Sequence, residues 1–255
     1  MRRGIVAAML QPEPSRPLES LRTLVATTWA RLYPFAGRAL LALLWRYGCY
    51  IVMIALSLWA EDRPAPHLPD LLIDHLPYLA WVDRYNHLLL AAVYLPLAAL
   101  LLLHDPARFC RYNVTTGVLS LIRGLCIAAT GLGPVYGPDS HAGLLLSDAG
   151  RQSQLFTRAL LELCSPFGLL SRDAPHVYLN KDLFFSGHTG VTFLLLLYVW
   201  PHRRLRWPAL LGHALVVVSV LLSHLHYTID LVGAYAVALA LYAVREGWPI
   251  PARPR

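Results

Sequence analysis

Asp182-Leu183-Phe184-Phe185-Ser186-Gly187-His188-Thr189 stands at the mouth of an apolar run that continues to Trp200. A serine and a glycine before a hydrophobic stretch form a helix start, with backbone N–H groups left facing outward. His188 therefore lies where an apolar helix meets water. A second stretch, His226-Tyr227-Thr228-Ile229-Asp230, stands at the head of another apolar run. The fold follows from whether such runs cross a membrane, and the chemistry from whether these two stretches share one face of it.

Of the 255 residues, 56% are hydrophobic and 15% charged, against about 25% charged in soluble domains. The formal net charge of +7 comes from arginines spread in short segments between apolar runs rather than gathered in one patch. That spread is the pattern of membrane orientation and argues against nucleic-acid binding. Cys49, Cys110, Cys126 and Cys164 form no C-x-x-C pair, so neither a metal site nor a disulfide framework is indicated.

The predicted fold is all-α: six transmembrane helices in one bundle, at about 39–60, 85–103, 112–132, 183–200, 207–222 and 229–244. The expected organisation is a cytoplasmic segment over 1–38, a membrane domain over 39–245 and a tail over 246–255. Apolar residues at 18, 21, 25, 29 and 32 recur at helical spacing, which predicts an amphipathic helix before the first span. Prolines at 64, 66, 69 and 77 break the first connection. The longest connection, 133–182, carries a short helix over 155–163 with Arg158 and Glu162 paired at i,i+4.

With both termini on one side, segments 1–38, 104–111, 201–206 and 245–255 hold 14 of the 22 Lys and Arg. The opposite segments, 61–84 and 133–182, hold 6 against ten acidic residues. The basic excess marks the cytoplasmic side. His188 and the His226–Asp230 pair then share the extracytoplasmic face. The composition, rich in arginine and alanine with one lysine, leans toward a bacterial inner membrane.

A carboxylate four residues after a histidine can fix its tautomer and leave the other ring nitrogen free to attack. Ser186 and Gly187 suit an anion-binding turn at a helix N-terminus, where phosphate is the natural ligand. Arg123, central in the third span, costs about 2.5–3.5 kcal/mol to insert, so it is expected to face the interior and to pair with an acid or reach the anion. Lys181 is either a phosphate contact or a solvated cation. Histidines 67, 75, 87, 141, 176 and 224 read as polar tips in the headgroup region.

Four stretches resemble the sphingomyelin synthase family, a branch of the type-2 phosphatidate phosphatase superfamily. They are His67-Leu68-Pro69-Asp70 with Asp74 and Pro77; Arg108, Arg111 and Arg123; Asp182 to Thr189; and His226 to Asp230 continuing through Ala234-Tyr235. The last two are near-identical to the family pattern and the first two are looser. Asn180-Lys181 stands where the family often has Cys-Gly. Phe185 replaces the proline that the phosphatases carry before Ser-Gly-His. Val220 follows Ser219 where they carry arginine. Fewer cations favour a phosphodiester, with one charge, over a phosphate monoester.

The resemblance implies transfer of phosphocholine or phosphoethanolamine from a glycerophospholipid to ceramide or a diacylglycerol-type alcohol. His226, oriented by Asp230, would be the nucleophile, and His188 the proton carrier. Asp182, Ser186, Gly187, Arg123 and Tyr227 would contact substrate. Tyr78, Trp81, Tyr136, Tyr178 and Phe184 are candidates to hold a quaternary ammonium. No metal or cofactor is implied. Water as acceptor would instead give a phospholipase C or lipid phosphatase, and decayed motifs a non-catalytic lipid-binding protein.

Overall fold

The computed structural model describes residues 16–137, 139, 149–165, 178–181 and 183–247, and these contain helices and no strand. Helix α1 spans Arg16–Leu32 and passes through a 3-10 turn, Tyr33–Phe35, into α2, Ala36–Glu61. Then follow α3 (Ala80–His104), α4 (Pro106–Ala129), α5 (Ala149–Cys164), α6 (Gly187–Val199), α7 (Arg203–Leu222) and α8 (Thr228–Glu246). Five helical stretches are long and apolar enough to cross a membrane: Leu21–Glu61, α3, α4, α7 and α8.

The predicted fourth span differs. Helix α6 has 13 residues, about 20 Å of rise against about 30 Å of hydrocarbon. It begins at Gly187 because Ser186 caps it, the Ser186 hydroxyl accepting the Thr189 N–H at 3.3 Å. Leu194, Leu195, Leu196, Leu197, Tyr198 and Val199 are all buried, so the helix is apolar on every face and enclosed by its neighbours. It packs against α4, α7 and α8.

Helix α4 also starts earlier than predicted. Asp105 accepts the Arg108 N–H at 2.9 Å and caps it, so Arg108 and Arg111 lie in the helix rather than in a turn. Arg108 is buried and pairs with Asp105, while Arg111 meets Glu246 of α8 at 2.9 Å. Composition alone reads clustered arginines as a loop; the aspartate–proline cap decides otherwise.

Helices α2 and α4 form the closest pair. A methyl group at Gly124 would stand 3.0 Å from the Met53 Cα, so the backbones approach closely where glycine leaves room. This contact sets Arg123 beside Met53, with Nη1 3.4 Å from the sulfur. Helix α3 packs on α7, where the buried Asn86 donates to the Ser219 hydroxyl at 3.1 Å. Helix α5 packs on α2 and carries the Arg158–Glu162 pair at 2.9 Å.

Candidate active site

The two histidine stretches meet through the main chain. The Ser186 N–H donates to the Asp230 carbonyl at 3.1 Å. This bond ties the start of α6 to the first turn of α8 and sets the His188 and His226 rings 6.3 Å apart between centroids, at 63°.

His226 precedes α8 and is not on its face. Tyr227 is the N-cap residue, and the Asp230 carboxylate turns back to accept the Tyr227 N–H at 2.9 Å. The same oxygen, Oδ2, lies 3.3 Å from His226 Nδ1. The pair therefore arises from capping geometry rather than from two side chains aligned along a helix. A carboxylate beside Nδ1 favours the tautomer with the proton there and Nε2 as the ring's basic nitrogen. Asp230 is fully buried, which strengthens that orienting bond.

His188 is held differently. Its Nε2 is buried and has no hydrogen-bond partner among the described residues. Its ring lies against His226 and stacks on His87 of α3, centroids 5.5 Å apart and planes within 12°. His87, read from sequence as a headgroup histidine, therefore belongs to the site. Its place near the predicted start of the second span, at 85, is the one sequence signal for this, and it is weak.

Arg123 packs against the turn that carries His188. Its Nε donates to the Phe185 carbonyl at 2.6 Å, and a methyl group at Gly187 would stand 3.1 Å from Nε and 3.2 Å from Cζ. Gly187 thus lets the guanidinium lie against the turn that carries His188. The Ser186 hydroxyl is buried and engaged as the cap.

Other expected contacts take anchoring positions. The Tyr227 hydroxyl accepts the Leu68 N–H at 3.0 Å and donates toward the Gly133 carbonyl at 3.1 Å; it fastens two loops. Lys181 is neither solvated nor aimed at an anion, because its Nζ meets Asp139 and the Arg63 carbonyl, each at 2.8 Å. Glu61, fully buried, accepts the Asn180 and Lys181 N–H groups. Both loops leading to the site are thereby tied to the end of α2. Asp182 lies outside the described residues. Among the candidate aromatics, Tyr178 donates to Glu162 at 2.8 Å, Trp81 is exposed, and the Phe184 ring covers Gly233.

The Leu-Pro-Asp stretch acts on the second motif. Asp70 Oδ2 accepts the Thr228 N–H, and Oδ1 accepts the Thr228 hydroxyl at 2.8 Å. Asp70 also receives the Leu72 and Ile73 N–H groups at 3.0 and 3.2 Å. Burial pushes its carboxyl up, but the bonds from Thr228, Ile73 and Leu72 outweigh it and hold the group below the usual carboxylate range. Asp70 is thus a distant cap for α8.

Among the described residues, no group of three or more His, Cys, Asp or Glu side chains has metal-binding geometry. What the arrangement offers is an oriented imidazole nucleophile, a second imidazole beside it and an arginine-backed helix start. Residues 181–246, which carry both histidine stretches, match the family model described as PAP2 superfamily C-terminal. More particularly, the chain is homologous to the phosphatidylcholine:ceramide cholinephosphotransferases. It is 29% identical to enzyme 1 of Rattus norvegicus over 225 residues, covering 82% of this chain and 52% of that protein. Enzyme 1 of Homo sapiens is 29% identical over 224 residues, with the same coverage. Enzyme 2 of Rattus norvegicus is 30% identical over 188 residues, covering 69% of this chain and 49% of that protein. The chain spans about half the length of these relatives.

Proposed function

We propose that this protein transfers phosphocholine or phosphoethanolamine from a glycerophospholipid to ceramide or a related lipid alcohol, through a phosphohistidine. The observation that carries the reading is the Ser186–Asp230 main-chain bond, which brings the His188 and His226 rings to 6.3 Å. The relatives are named for phosphatidylcholine and ceramide as substrates, and they support the headgroup and the acceptor.

In the first half-reaction, His226 Nε2 attacks phosphorus, the bond from phosphorus to the diacylglycerol oxygen breaks, and His188 gives that oxygen its proton. In the second, His188 takes the proton of the incoming primary hydroxyl. The alkoxide oxygen bonds to phosphorus, the P–N bond breaks, and both histidines return to their starting state. Arg123 and the backbone N–H groups at the start of α6 stabilise charge on the phosphoryl oxygens.

The site belongs on the extracytoplasmic face, with both termini cytoplasmic and six spans in the bundle. The arginine distribution supports this orientation. Helix α6 serves as the short fourth span, enclosed by its neighbours, so its site end lies below the level of the longer helix ends. Residues 39–245 form the membrane domain. Incubating purified protein with labelled phosphatidylcholine or phosphatidylethanolamine, with and without ceramide, tests the reading. A new ceramide-based phospholipid is expected. Free phosphocholine or phosphoethanolamine without one would replace transfer by hydrolysis.

A further inference from the structure

One turn outward from His87 on α3 stands Asp83. Four residues of helix rise about 6 Å, comparable to the length of a phosphocholine or phosphoethanolamine zwitterion. Asp83 accepts the Tyr78 hydroxyl at 2.8 Å. Tyr78 stacks face to face on Tyr136, centroids 4.4 Å apart and planes within 11°. Both rings meet the edge of His224, at 5.6 and 6.2 Å. Tyr136 is 62% exposed and offers aromatic surface to the outside.

This shelf is fastened to the catalytic turn. The Leu79 N–H donates to the Leu222 carbonyl at 2.8 Å, and His224 Nε2 lies 3.2 Å from the Leu76 carbonyl. His224, two residues before His226, holds φ at +49°, a left-handed conformation that costs a non-glycine residue about 1–2 kcal/mol. Such strain persists where surrounding contacts enforce it, often beside functional groups. Burial and the adjacent Asp83 carboxylate push the Tyr78 phenol up to about 12, so it remains a neutral hydrogen-bond donor.

Contacts link a cation and imidazoles to a carboxylate and aromatic rings: Arg123 lies against the turn that carries His188, His87 stacks on His188, and Asp83 stands one helical turn from His87 with Tyr78, Tyr136 and His224 beside it. A zwitterionic headgroup has the complementary order, phosphate for the cation and ammonium for the carboxylate. A carboxylate in the first turn of a helix also complements the dipole, but that role requires neither the stacked tyrosines nor their attachment to the His226 turn. We propose that Asp83, with Tyr78 and Tyr136, is the subsite for the cationic end of the phospholipid headgroup. It selects an ammonium over an uncharged group of the same shape, by ion pairing and cation–π contact. The inference rests on the headgroup-transfer reading and deepens it.

The test uses two soluble probes on the full chain in detergent: phosphocholine and 3,3-dimethylbutyl phosphate, its uncharged isostere. Binding is read by intrinsic fluorescence for the wild type, Asp83→Asn and Tyr136→Leu, each confirmed monodisperse with a wild-type melting temperature. The wild type is expected to prefer phosphocholine by about tenfold, with the preference falling toward one in Asp83→Asn and falling partly in Tyr136→Leu. Tyr136 is exposed, so its substitution leaves the core intact. No preference in the wild type, or an undiminished preference in both variants, overturns the subsite. A wild type that prefers phosphocholine yet transfers nothing from phosphatidylcholine keeps the subsite and removes the transferase reading. One that transfers without the preference does the reverse.

Discussion

The two histidines of the site stand side by side but are held in opposite ways. His226 is clamped: a fully buried carboxylate lies 3.3 Å from Nδ1, and that carboxylate is itself fixed by the Tyr227 N–H. Among the described residues, His188 is braced by rings, His87 stacked on it and His226 at an angle, and its buried Nε2 has no hydrogen-bond partner. A nucleophile benefits from a fixed tautomer and direction. A group that must give a proton in one step and take one in the next benefits from a ring nitrogen with no permanent partner. The difference in restraint matches the proposed division of labour, and it can be broken one side at a time.

The largest effect is expected from removing each imidazole. His226→Ala should abolish transfer, by more than about 10³-fold, and no phosphoenzyme should form with any donor. His188→Ala should slow transfer about 10²–10⁴-fold. A donor whose leaving group needs no proton, p-nitrophenyl phosphocholine, should still release nitrophenol in His188→Ala, leaving acid-labile label on the protein. The same donor rescuing His226→Ala instead would reverse the assignment.

Asp230→Asn tests the clamp alone. The amide still accepts the Tyr227 N–H through its oxygen, so the start of α8 survives. Without the carboxylate, however, nothing retains the His226 proton on Nδ1, and a loss on the order of 10³-fold in kcat is expected, with little change in KM. A fall mainly in KM would mean that Asp230 serves substrate binding instead.

Much of this comparison was legible in the sequence, for physical reasons. Apolar runs report helices directly, and Ser186 before Gly187 is a local capping signal that the structure bears out. The His226–Asp230 pairing is also local: the four-residue spacing points to it, and the capping turn at the start of α8 makes it. What escaped depends on contacts between distant segments. His87 becomes part of the site because α3 lies beside α6. Lys181 is buried because Glu61 and Asp139, 120 and 42 residues away, close around it. Single charges near a motif look alike in sequence whether they meet substrate or another loop. The short α6 was hidden because residues 183–185 are as apolar as the helix that follows them.

A smaller effect is expected at the turn that carries His188. Gly187→Ala would place a methyl 3.1 Å from Arg123 Nε. The guanidinium must then shift from its 2.6 Å bond to the Phe185 carbonyl. Overpacking of this kind costs about 1–3 kcal/mol, and activity should fall about tenfold with both half-reactions affected alike. Unequal effects on phosphoenzyme formation and breakdown would place Arg123 closer to one leaving group than the other.

The smallest effect concerns the outer support of the clamped side. Asp70 ties the first residue of α8 to the loop after α2, and only its ionised form accepts all four bonds. Its folded carboxyl lies below the usual range. The unfolded chain therefore binds the proton more readily than the native one. The stabilisation is complete above the unfolded value of about 3.9 and is lost as pH falls through the folded value. Asp70→Ala should accordingly lower stability by about 0.5–2 kcal/mol at neutral pH, the range for a lost helix cap. The gap in melting temperature between variant and wild type in detergent should narrow below pH 4. A gap that stays constant with pH would mean that Asp70 acts through packing rather than charge. A gap confined to activity would place it with the substrate instead of the fold.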